Sequence, residues 1–315
     1  MTSSLGWQPS ASIDMLKARA KLYRVIRDFF EDRKVLEVDT PILSQSGTVD
    51  PFIESLVTEV CDKKYFLQTS PEFFLKRLLA NSSGDIYSLG KVFRQGEQGK
   101  KHHPEFTLLE WYRVAWNEHQ LMDELESFIH ILIPDVDIKK TSYQDLFLAH
   151  LNIDPHSIAL GNLKVLVKKN IEITFDLVDK STCFDLLMTH YIEPKMPKGL
   201  LFVYDYPAES AALACLGNND RGQIVARRFE AYLNGIELAN GYCELTDAVE
   251  QKKRFEKDVE YRQQNNLSNV PYDKQLVAAL ESGMPKCAGV ALGVDRLLMV
   301  LGEKSTINEV LSFSI

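Results

Sequence analysis

Apolar residues recur at helical spacing in three stretches of the chain, and this pattern predicts amphipathic helices. The first covers residues 12–33, and its apolar stripe consists of Leu22, Val25, Ile26, Phe29 and Phe30. A second is predicted to begin at Ser70, where a hydroxyl, a proline and Glu72 form a typical helix start, and to end near Asn81. Asn117 and Gln120 resemble a capping box that opens a third.

Strands are predicted where apolar residues alternate with polar ones or run continuously between polar turns. VLEVDTPIL is predicted as a strand that ends at Pro41, and FIESLVTEV and YFLQTS as a hairpin around CDKK. IYSLGKVFR and PEFTLLEWYRVA flank the polar segment QGEQGKKHH in the same way. Further strands are predicted in LFVYDYPAE, RRFEAYLNGIELANGYCEL and GVALGVDRLLMV, the last of which becomes a helix from Asp295 to Gly302.

These elements together predict an α+β fold, an antiparallel sheet flanked by helices. Neither an internal repeat nor a Pro/Gly/Ser-rich linker divides the sequence, so we expect a single domain over residues 1–315. Short helices are predicted over about residues 141–198, as an insertion into that domain.

Charge and cysteine usage narrow the classes of function. The chain has 315 residues, with 36 Lys plus Arg against 44 Asp plus Glu and a net charge of −8. This charge disfavours a protein that mainly binds nucleic acid, because such proteins usually present a basic surface. The five cysteines are scattered without a C-x-x-C pair, which disfavours a disulfide framework or a zinc site. Without an apolar leader or spanning segment, we expect a soluble, cytoplasmic protein with no membrane partner.

The hairpin over residues 93–112 carries the first candidate chemistry. Alternation along its second strand puts Phe106, Glu110 and Tyr112 on one face, which suits a cationic ligand with an apolar stem. Arg94 on the first strand and His102 in the loop can meet an anion. The alternative is an amphipathic hairpin with a solvated loop.

A second candidate lies in EAYLNGIELANGYCEL, where Asn240, Tyr242 and Glu244 share one face of a strand. Glu230 and Glu237 on neighbouring strands can hold Mg²⁺, because hard cations favour oxygen ligands. The alternative is that these acids face water, as most glutamates do.

A third candidate is GVALGVDRLLMV, where Gly289, Ala291 and Gly293 allow close approach to a strand backbone. Arg296 follows in the first turn of an apolar helix, a suitable position for a phosphate contact. The alternative is tight strand–helix packing with a structural ion pair.

These motifs resemble a known family of enzymes. EVDTP with Pro41, FR…HHPEFTLLE and GVALGVDR resemble motifs one, two and three of class II aminoacyl-tRNA synthetases. TSPEFFLKRLL and ELANGYCELTDA resemble the lysyl-tRNA synthetase branch, and the similarity extends from about Ser10 to the C-terminus. Two departures bear on function: we expect no anticodon-binding β-barrel, and Ala291 stands where those enzymes have glycine. With the opening WQPSAS, both features resemble the bacterial elongation factor P–(R)-β-lysine ligases.

The resemblance implies an ATP-dependent ligase that adenylates (R)-β-lysine, or lysine, and transfers it to a lysine ε-amine of elongation factor P. It implies ATP and Mg²⁺ as cofactors and a homodimer with Pro41 at the interface, whereas tRNA is not the expected acceptor. Two alternatives stay open: a truncated lysyl-tRNA synthetase that charges tRNA, and a non-catalytic, synthetase-like regulatory subunit.

The resemblance also implies roles for individual residues. Arg94 and Arg296 are the implied catalytic residues, and Glu230 and Glu237 the implied metal ligands. The implied ATP site consists of Arg94, Gln95, Gly96, Glu97, His102, His103, Phe106, Glu237, Leu238, Gly293 and Arg296. The implied amino acid site consists of Ser70, Glu72, Glu110, Tyr112, Asn240, Tyr242, Glu244 and Ala291. Gln95 and Gly96 replace the usual Asn-Glu and His103 the usual Asn, so Glu97 is expected to supply the acid through a shifted turn.

Overall fold

The structure is a computed structural model that describes residues 7–177 and 179–314. The first six positions, to which the expectation of no leader also applies, lie outside the described residues. The chain divides into two compact units. The first comprises residues up to Val114, Thr246–Pro285 and the residues from Ala291 onward, and the second comprises Ala115–Leu245 and Lys286–Val290. The single domain expected from the sequence stays a prediction.

Helices and strands alternate along the chain. The helices are α1 (Ile13–Asp32), α2 (Glu72–Ala80), α3 (Glu118–Leu132), α4 (Tyr143–Leu151), α5 (Leu160–Asn170), α6 (Lys180–Leu187), α7 (Ala248–Gln264), α8 (Lys274–Glu281) and α9 (Val294–Leu301). The strands are β1 (Leu36–Glu37), β2 (Leu43–Ser44), β3 (Val57–Val60), β4 (Lys63–Leu67), β5 (Ile86–Phe93), β6 (Glu105–Val114), β7 (Ile138–Ser142), β8 (Leu200–Pro207), β9 (Leu216–Asn218), β10 (Ile224–Leu233), β11 (Ile236–Cys243) and β12 (Cys287–Gly293).

The first unit packs α1 against a layer of strands. Ser12 caps this helix by accepting a hydrogen bond from the backbone of Met15, and the predicted apolar stripe is largely buried. Phe30 stacks on Tyr87 with 4.4 Å between ring centroids and meets Trp111 edge-on. Strands β1, β5 and β6 are adjacent in that order, with β1 parallel to β5 and β5 antiparallel to β6. A smaller sheet has the order β2-β4-β3.

Two predictions for the first unit are wrong in detail. VLEVDTPIL is not one strand, since only Leu36–Glu37 and Leu43–Ser44 pair, and Pro41 between them has no N–H to donate to a ladder. Helix α2 begins at Glu72 rather than at the predicted proline position, although the Ser70 hydroxyl still accepts a hydrogen bond from the Glu72 backbone.

The second unit places β11, β10, β8 and β7 side by side in that order, with β9 against the start of β10. The β8–β10 and β10–β11 pairs are antiparallel, whereas β7 runs parallel to β8, so the strands are mixed rather than purely antiparallel. Helices α4, α5 and α6 occupy most of the segment predicted as a helical insertion and bury Phe147, Leu163 and Phe184 in one apolar cluster. The predicted capping box of Asn117 and Gln120 opens α3.

The predicted α+β class is confirmed. Strand β12 begins in the second unit and ends in the first, and it leads directly into α9, which Gly302 ends as predicted. Within the part of the chain that the structure describes, no helix is both long and apolar enough to cross a lipid bilayer.

Candidate functional site

Arg94 follows the last residue of β5 in the first unit, where the loop that connects β5 to β6 begins. Its backbone N–H donates to the carbonyl of Pro104 at 2.9 Å, and its Nε donates to the carbonyl of Thr69 at 3.2 Å. Its guanidinium lies 5.1 Å from the centre of the Phe106 ring and 3.2 Å from the Glu97 carboxylate. The aromatic face and the carboxylate hold this cation in one orientation while leaving part of it exposed.

The loop that follows is shaped by Gly96, whose φ of +82° is unfavourable for other residues. Before it, the Gln95 N–H donates to the carbonyl of Glu54 at 2.8 Å, and after it Glu97 turns back to Arg94. An acid therefore does lie beside Arg94, through a turn at Gly96. The side chain of His103 is buried, with Nδ1 2.7 Å from the carbonyl oxygen of Glu105.

Arg296 lies in the first turn of α9, and its Nη2 is 2.7 Å from Nε2 of His102. A guanidinium can only donate hydrogen bonds, so in this contact Nε2 accepts and the imidazole is neutral. The neighbouring Asp295 is buried, pairs with Arg19 and accepts a 2.6 Å hydrogen bond from the Thr107 backbone. These contacts attach the start of α9 to β6 and α1.

Packing around Arg296 does not require glycine at position 293. A Cβ built on Gly293 would lie 3.7 Å from the Arg296 side chain, an ordinary contact distance, and the backbone φ is −74°. Space over this strand end is therefore compatible with close approach of a ligand. Ala291, two residues earlier on the same face of β12, is half-buried, and the side chains of Val290 and Leu292 are buried on the opposite face.

Two acids of the first unit are already paired with neighbouring side chains. The Tyr112 hydroxyl donates to Glu110 at 2.8 Å, and both residues are buried. Glu72 accepts a 2.6 Å hydrogen bond from Lys76, whose side chain is only 1% exposed. The sequence analysis missed Lys76, although a Glu–Lys pair four residues apart on a helix is a recognisable signal.

In the second unit, the β10–β11 pair presents Glu230 directly opposite Asn240, and Tyr232 opposite Glu237. A register shift between Ala231 and Tyr232 interrupts the ladder at this point. The two glutamates predicted to bind a metal thus lie on adjacent strands, with Glu237 opposite the residue two positions after Glu230.

Arg228 is a second residue that the sequence analysis missed. It donates to Glu230 at 2.6 Å and to the carbonyl of Ser210 at 3.1 Å. Its guanidinium lies over the Tyr206 ring at 4.5 Å and the Tyr242 ring at 5.4 Å. Because residues two apart share a strand face, the spacing of Arg228 and Glu230 was a usable signal.

Burial raises the pKa of the Glu230 carboxyl, Arg228 lowers it and the nearby Glu237 raises it again, with a net upward shift. The repulsion between two carboxylates favours a divalent cation beside them. Among the described residues, no group of three or more His, Cys, Asp or Glu side chains is placed to hold a metal. Carboxylate oxygens on adjacent strands are nevertheless a donor type that Mg²⁺ uses, since this ion typically binds one or two carboxylates and takes its other oxygens from phosphates and water.

The remaining predicted residues of the second unit lie along β11 and just beyond it. Asn240 has a buried Oδ1 with no hydrogen-bond partner among the described residues, so it retains an acceptor for a ligand. Glu244 is buried and bridges to Ala214, and Tyr242 lies opposite Arg228. The side chain of Leu238 is buried, so only its main chain can face a ligand.

Comparison with known proteins gives a consistent result. A family model described as "tRNA synthetases class II (D, K and N)" matches residues 4–315. A protein of Pseudoalteromonas translucida (strain TAC 125), named "Elongation factor P--(R)-beta-lysine ligase", is 44% identical over 98% of this chain and 98% of its own length. Relatives of the same name from Vibrio cholerae and Hamiltonella defensa are 44% and 42% identical, and each match covers at least 98% of both chains.

Proposed function

Because the chain belongs to the elongation factor P–(R)-β-lysine ligase family, within the class II tRNA synthetases, we propose that it is an ATP-dependent ligase. It activates (R)-β-lysine, or lysine, as an adenylate and transfers it to a lysine ε-amine of elongation factor P. The observation that carries this proposal is the 44% identity over nearly the full length of relatives that bear this name.

The nucleotide is assigned mainly to residues of the first unit. Arg94 contacts the α-phosphate and the substrate carboxylate, and Arg296, helped by His102, contacts the γ-phosphate. Adenine lies against Phe106 and beside the main chain of His103. The assignment is supported by the guanidinium of Arg94 at 5.1 Å from the Phe106 ring and by the Arg296–His102 contact. The other assigned ATP-site residues are Gln95, Gly96, Glu97, Glu237, Leu238 and Gly293.

The amino groups and stem of the substrate are assigned to Glu110, Tyr112 and Glu244. Buried carboxylates suit an ammonium group, because a charge removed from water needs a paired partner. The further residues assigned to this slot are Ser70, Glu72, Asn240, Tyr242 and Ala291. Lys76 offsets the negative charge of Glu72 before any substrate binds, so Glu72 acts as a positioned hydrogen-bond acceptor.

Glu230 and Glu237 are assigned to Mg²⁺. The ion, when bound with ATP, supplies neutralisation of the phosphate charge. Arg228 and the Tyr232 hydroxyl, which donate to Glu230 at 2.6 and 2.5 Å, keep that carboxylate oriented.

The reaction proceeds in two steps. The substrate carboxylate attacks the α-phosphorus, and the bond from this phosphorus to the oxygen that bridges to the β-phosphate breaks. Pyrophosphate is released and an aminoacyl adenylate is formed. A carboxylate is already a nucleophile, so Arg94 and Arg296 need only orient the groups and stabilise the charge. A deprotonated lysine ε-amine of the acceptor protein then attacks the carbonyl carbon, and AMP leaves.

We also propose a homodimer and a cytoplasmic location. Large apolar side chains are exposed around Pro41 in the first unit, which suits a surface covered by a second copy. They are Leu36, Ile42, Leu43, Phe52, Val57 and Val60. The free cysteines suit a reducing compartment.

Intact-mass analysis of elongation factor P tests the function. Incubation with ATP and each lysine isomer in turn should add one lysyl group in the wild type and none in Arg94→Ala. Arg24→Ala, which removes an exposed arginine of α1, serves as the matched control and should retain activity. If elongation factor P stays unmodified and tRNA becomes lysylated instead, the function is tRNA charging rather than protein modification.

A further inference from the structure

Two cysteines in the second unit lie opposite each other across an antiparallel strand contact. Residues 213–215 run beside the end of β11, with Ala214 bridged to Glu244. The Leu245 N–H donates to Leu213 at 3.0 Å, and the Cys215 N–H donates to Cys243 at 2.8 Å. In this pattern Cys215 and Cys243 are the next facing pair, so their side chains extend from the same side of the two strands.

This placement is close to what a disulfide requires. Facing residues joined by a backbone hydrogen bond have Cα atoms about 5.5 Å apart, within the range that disulfides span. Their Cβ atoms are about 4.5–5.5 Å apart, whereas a disulfide needs about 3.5–4.5 Å. A bond between the two sulfurs therefore forms if the strands approach each other by about 1 Å.

Both thiols are free and half-buried, and their surroundings make one a stronger nucleophile than the other. A hydrogen bond from Cys243 lowers the pKa of Cys215, burial raises it and the charge of Arg227 lowers it again, with a net downward shift. Arg227 is held in place by a 2.7 Å ion pair with Glu118, and its own N–H donates to the carbonyl of Cys215 at 2.9 Å. Cys215 is thus the stronger nucleophile and Cys243 the resolving thiol.

We infer that Cys215 and Cys243 form a reversible oxidation site that takes hydroperoxides and lowers the activity of the enzyme. The Cys215 thiolate attacks a peroxide oxygen, the O–O bond breaks, and the products are a sulfenic acid and an alcohol or water. The Cys243 thiol then displaces the hydroxyl as water and forms the disulfide. In total two thiols lose two electrons and two protons, and one hydroperoxide is reduced to one alcohol or water plus one water.

The consequence for activity rests on the proposed function. Cys243 lies between Tyr242 and Glu244, two residues assigned to the lysine slot, and the strand partner of Glu244 is Ala214, the neighbour of Cys215. Contraction of the strand pair at the cysteines displaces the Glu244 carboxylate. Misplacement of a binding group by about 1 Å can cost up to about a hundredfold in rate.

The experiment treats reduced protein with one equivalent of hydrogen peroxide, blocks residual thiols and maps the peptides by mass. We expect a link between Cys215 and Cys243 and a loss of roughly tenfold or more in lysine-dependent pyrophosphate exchange, reversed by dithiothreitol. Cys215→Ser and Cys243→Ser should be insensitive, whereas Cys61→Ser, which removes an exposed thiol elsewhere, should respond like the wild type.

Peptides without the 215–243 link overturn the inference, as does a link that leaves exchange unchanged. Hydrogen–deuterium exchange of the backbone over residues 240–245 measures the strand displacement independently of enzyme activity. An identical pattern in the reduced and oxidised protein also overturns the inference. A reduced protein that links its cysteines but shows no exchange with any lysine isomer refutes the proposed function instead.

Discussion

Ala291 stands at the position of the third motif where the resemblance to tRNA-charging enzymes implies a glycine. The side chain is half-buried on β12, and its methyl group is fixed to the strand backbone, so it cannot rotate aside. One methyl in a tight pocket is worth about 1–3 kcal/mol of discrimination. We propose that at this position it disfavours an amino group on the α-carbon while leaving a β-amino group unaffected.

Ala291→Gly should therefore raise the adenylation rate with α-lysine relative to (R)-β-lysine by about tenfold or more. Pyrophosphate exchange with each isomer measures the ratio. Ala288→Gly, at a fully buried position of the same strand, controls for loosening of the strand and should lower both rates alike. If the ratio of the two rates is the same in wild type and Ala291→Gly, Ala291 does not determine which lysine isomer is preferred.

Buried charges in both units are paired by the chain itself. Lys76 meets Glu72, and Arg228 meets Glu230, in each case at 2.6 Å. Uncompensated buried charges are costly, so these internal cations offset and orient the assigned acids, although burial still leaves the pKa of Glu230 raised.

At the level of elements, helix α7 supports the loop that precedes the ATP site. Its Arg262 is almost fully buried and donates to the carbonyl of Asp50 at 2.9 Å and to the carboxylate of Glu54. The same guanidinium donates to the backbone and the hydroxyl of Ser268. The carbonyl of Glu54 in turn accepts from the Gln95 backbone, the residue after Arg94.

Arg262→Gln should lower the free energy of unfolding by about 3 kcal/mol, because it leaves buried acceptors unpaired. It should also raise the KM for ATP more than that for lysine, since the anchor of Gln95 loosens. Urea denaturation and steady-state kinetics measure the two effects. Arg27→Gln breaks an exposed pair with Glu37 and should cost at most about 1 kcal/mol. Destabilisation without a change in the KM for ATP would limit Arg262 to a structural role.

Elements with a clear apolar period were predictable from the sequence, whereas polar helices were not. The stripe of α1 and the hairpins β5–β6 and β10–β11 are confirmed. Helix α7 was missed because it buries only Phe255 as an apolar residue, beside Gln251 and Arg262. Its position depends on tertiary hydrogen bonds, which periodicity cannot reveal.

The candidate site divides in the same way. Motifs supplied the positions of Arg94, Arg296 and the paired glutamates, because residue types at those spacings are specific. The partners of some of these groups, such as Arg228 for Glu230, depend on how the strands and loops fold. The roles assigned to all of these residues stay predictions until ligand binding is measured.

For the whole molecule, acids outnumber bases, so a carboxylate that folding buries lowers the free energy of unfolding. The net charge is −8. Asp258 on α7 is the clearest case of a side chain whose ionised form is disfavoured in the folded state. Its pKa is raised to about 6, because burial and the nearby Asp50 raise it by more than Lys257, Arg254 and Arg262 lower it. Since the pKa of an unfolded aspartate is about 3.9, the folded state holds this proton more tightly.

The pH dependence follows from that difference. Between about pH 4 and 6 the folded state binds more protons at Asp258 than the unfolded state, so this group makes stability fall as pH rises. Its cost is fully present above pH 6 and absent below about pH 4. Asp258→Asn removes the charge and should stabilise the protein at pH 7.5 by about 1–2 kcal/mol, after allowance for partial solvent screening.

Urea unfolding of wild type and Asp258→Asn at pH 7.5, 5 and 4 measures the effect. The gain should be largest at pH 7.5, about half that at pH 5, and small at pH 4, because the carboxyl is then protonated in the folded state and about half protonated in the unfolded state. Glu256→Gln, on the exposed side of the same helix, controls for the general loss of negative charge. A gain that is equal at all three pH values would assign the stabilisation to packing of the amide rather than to the ionisation of Asp258.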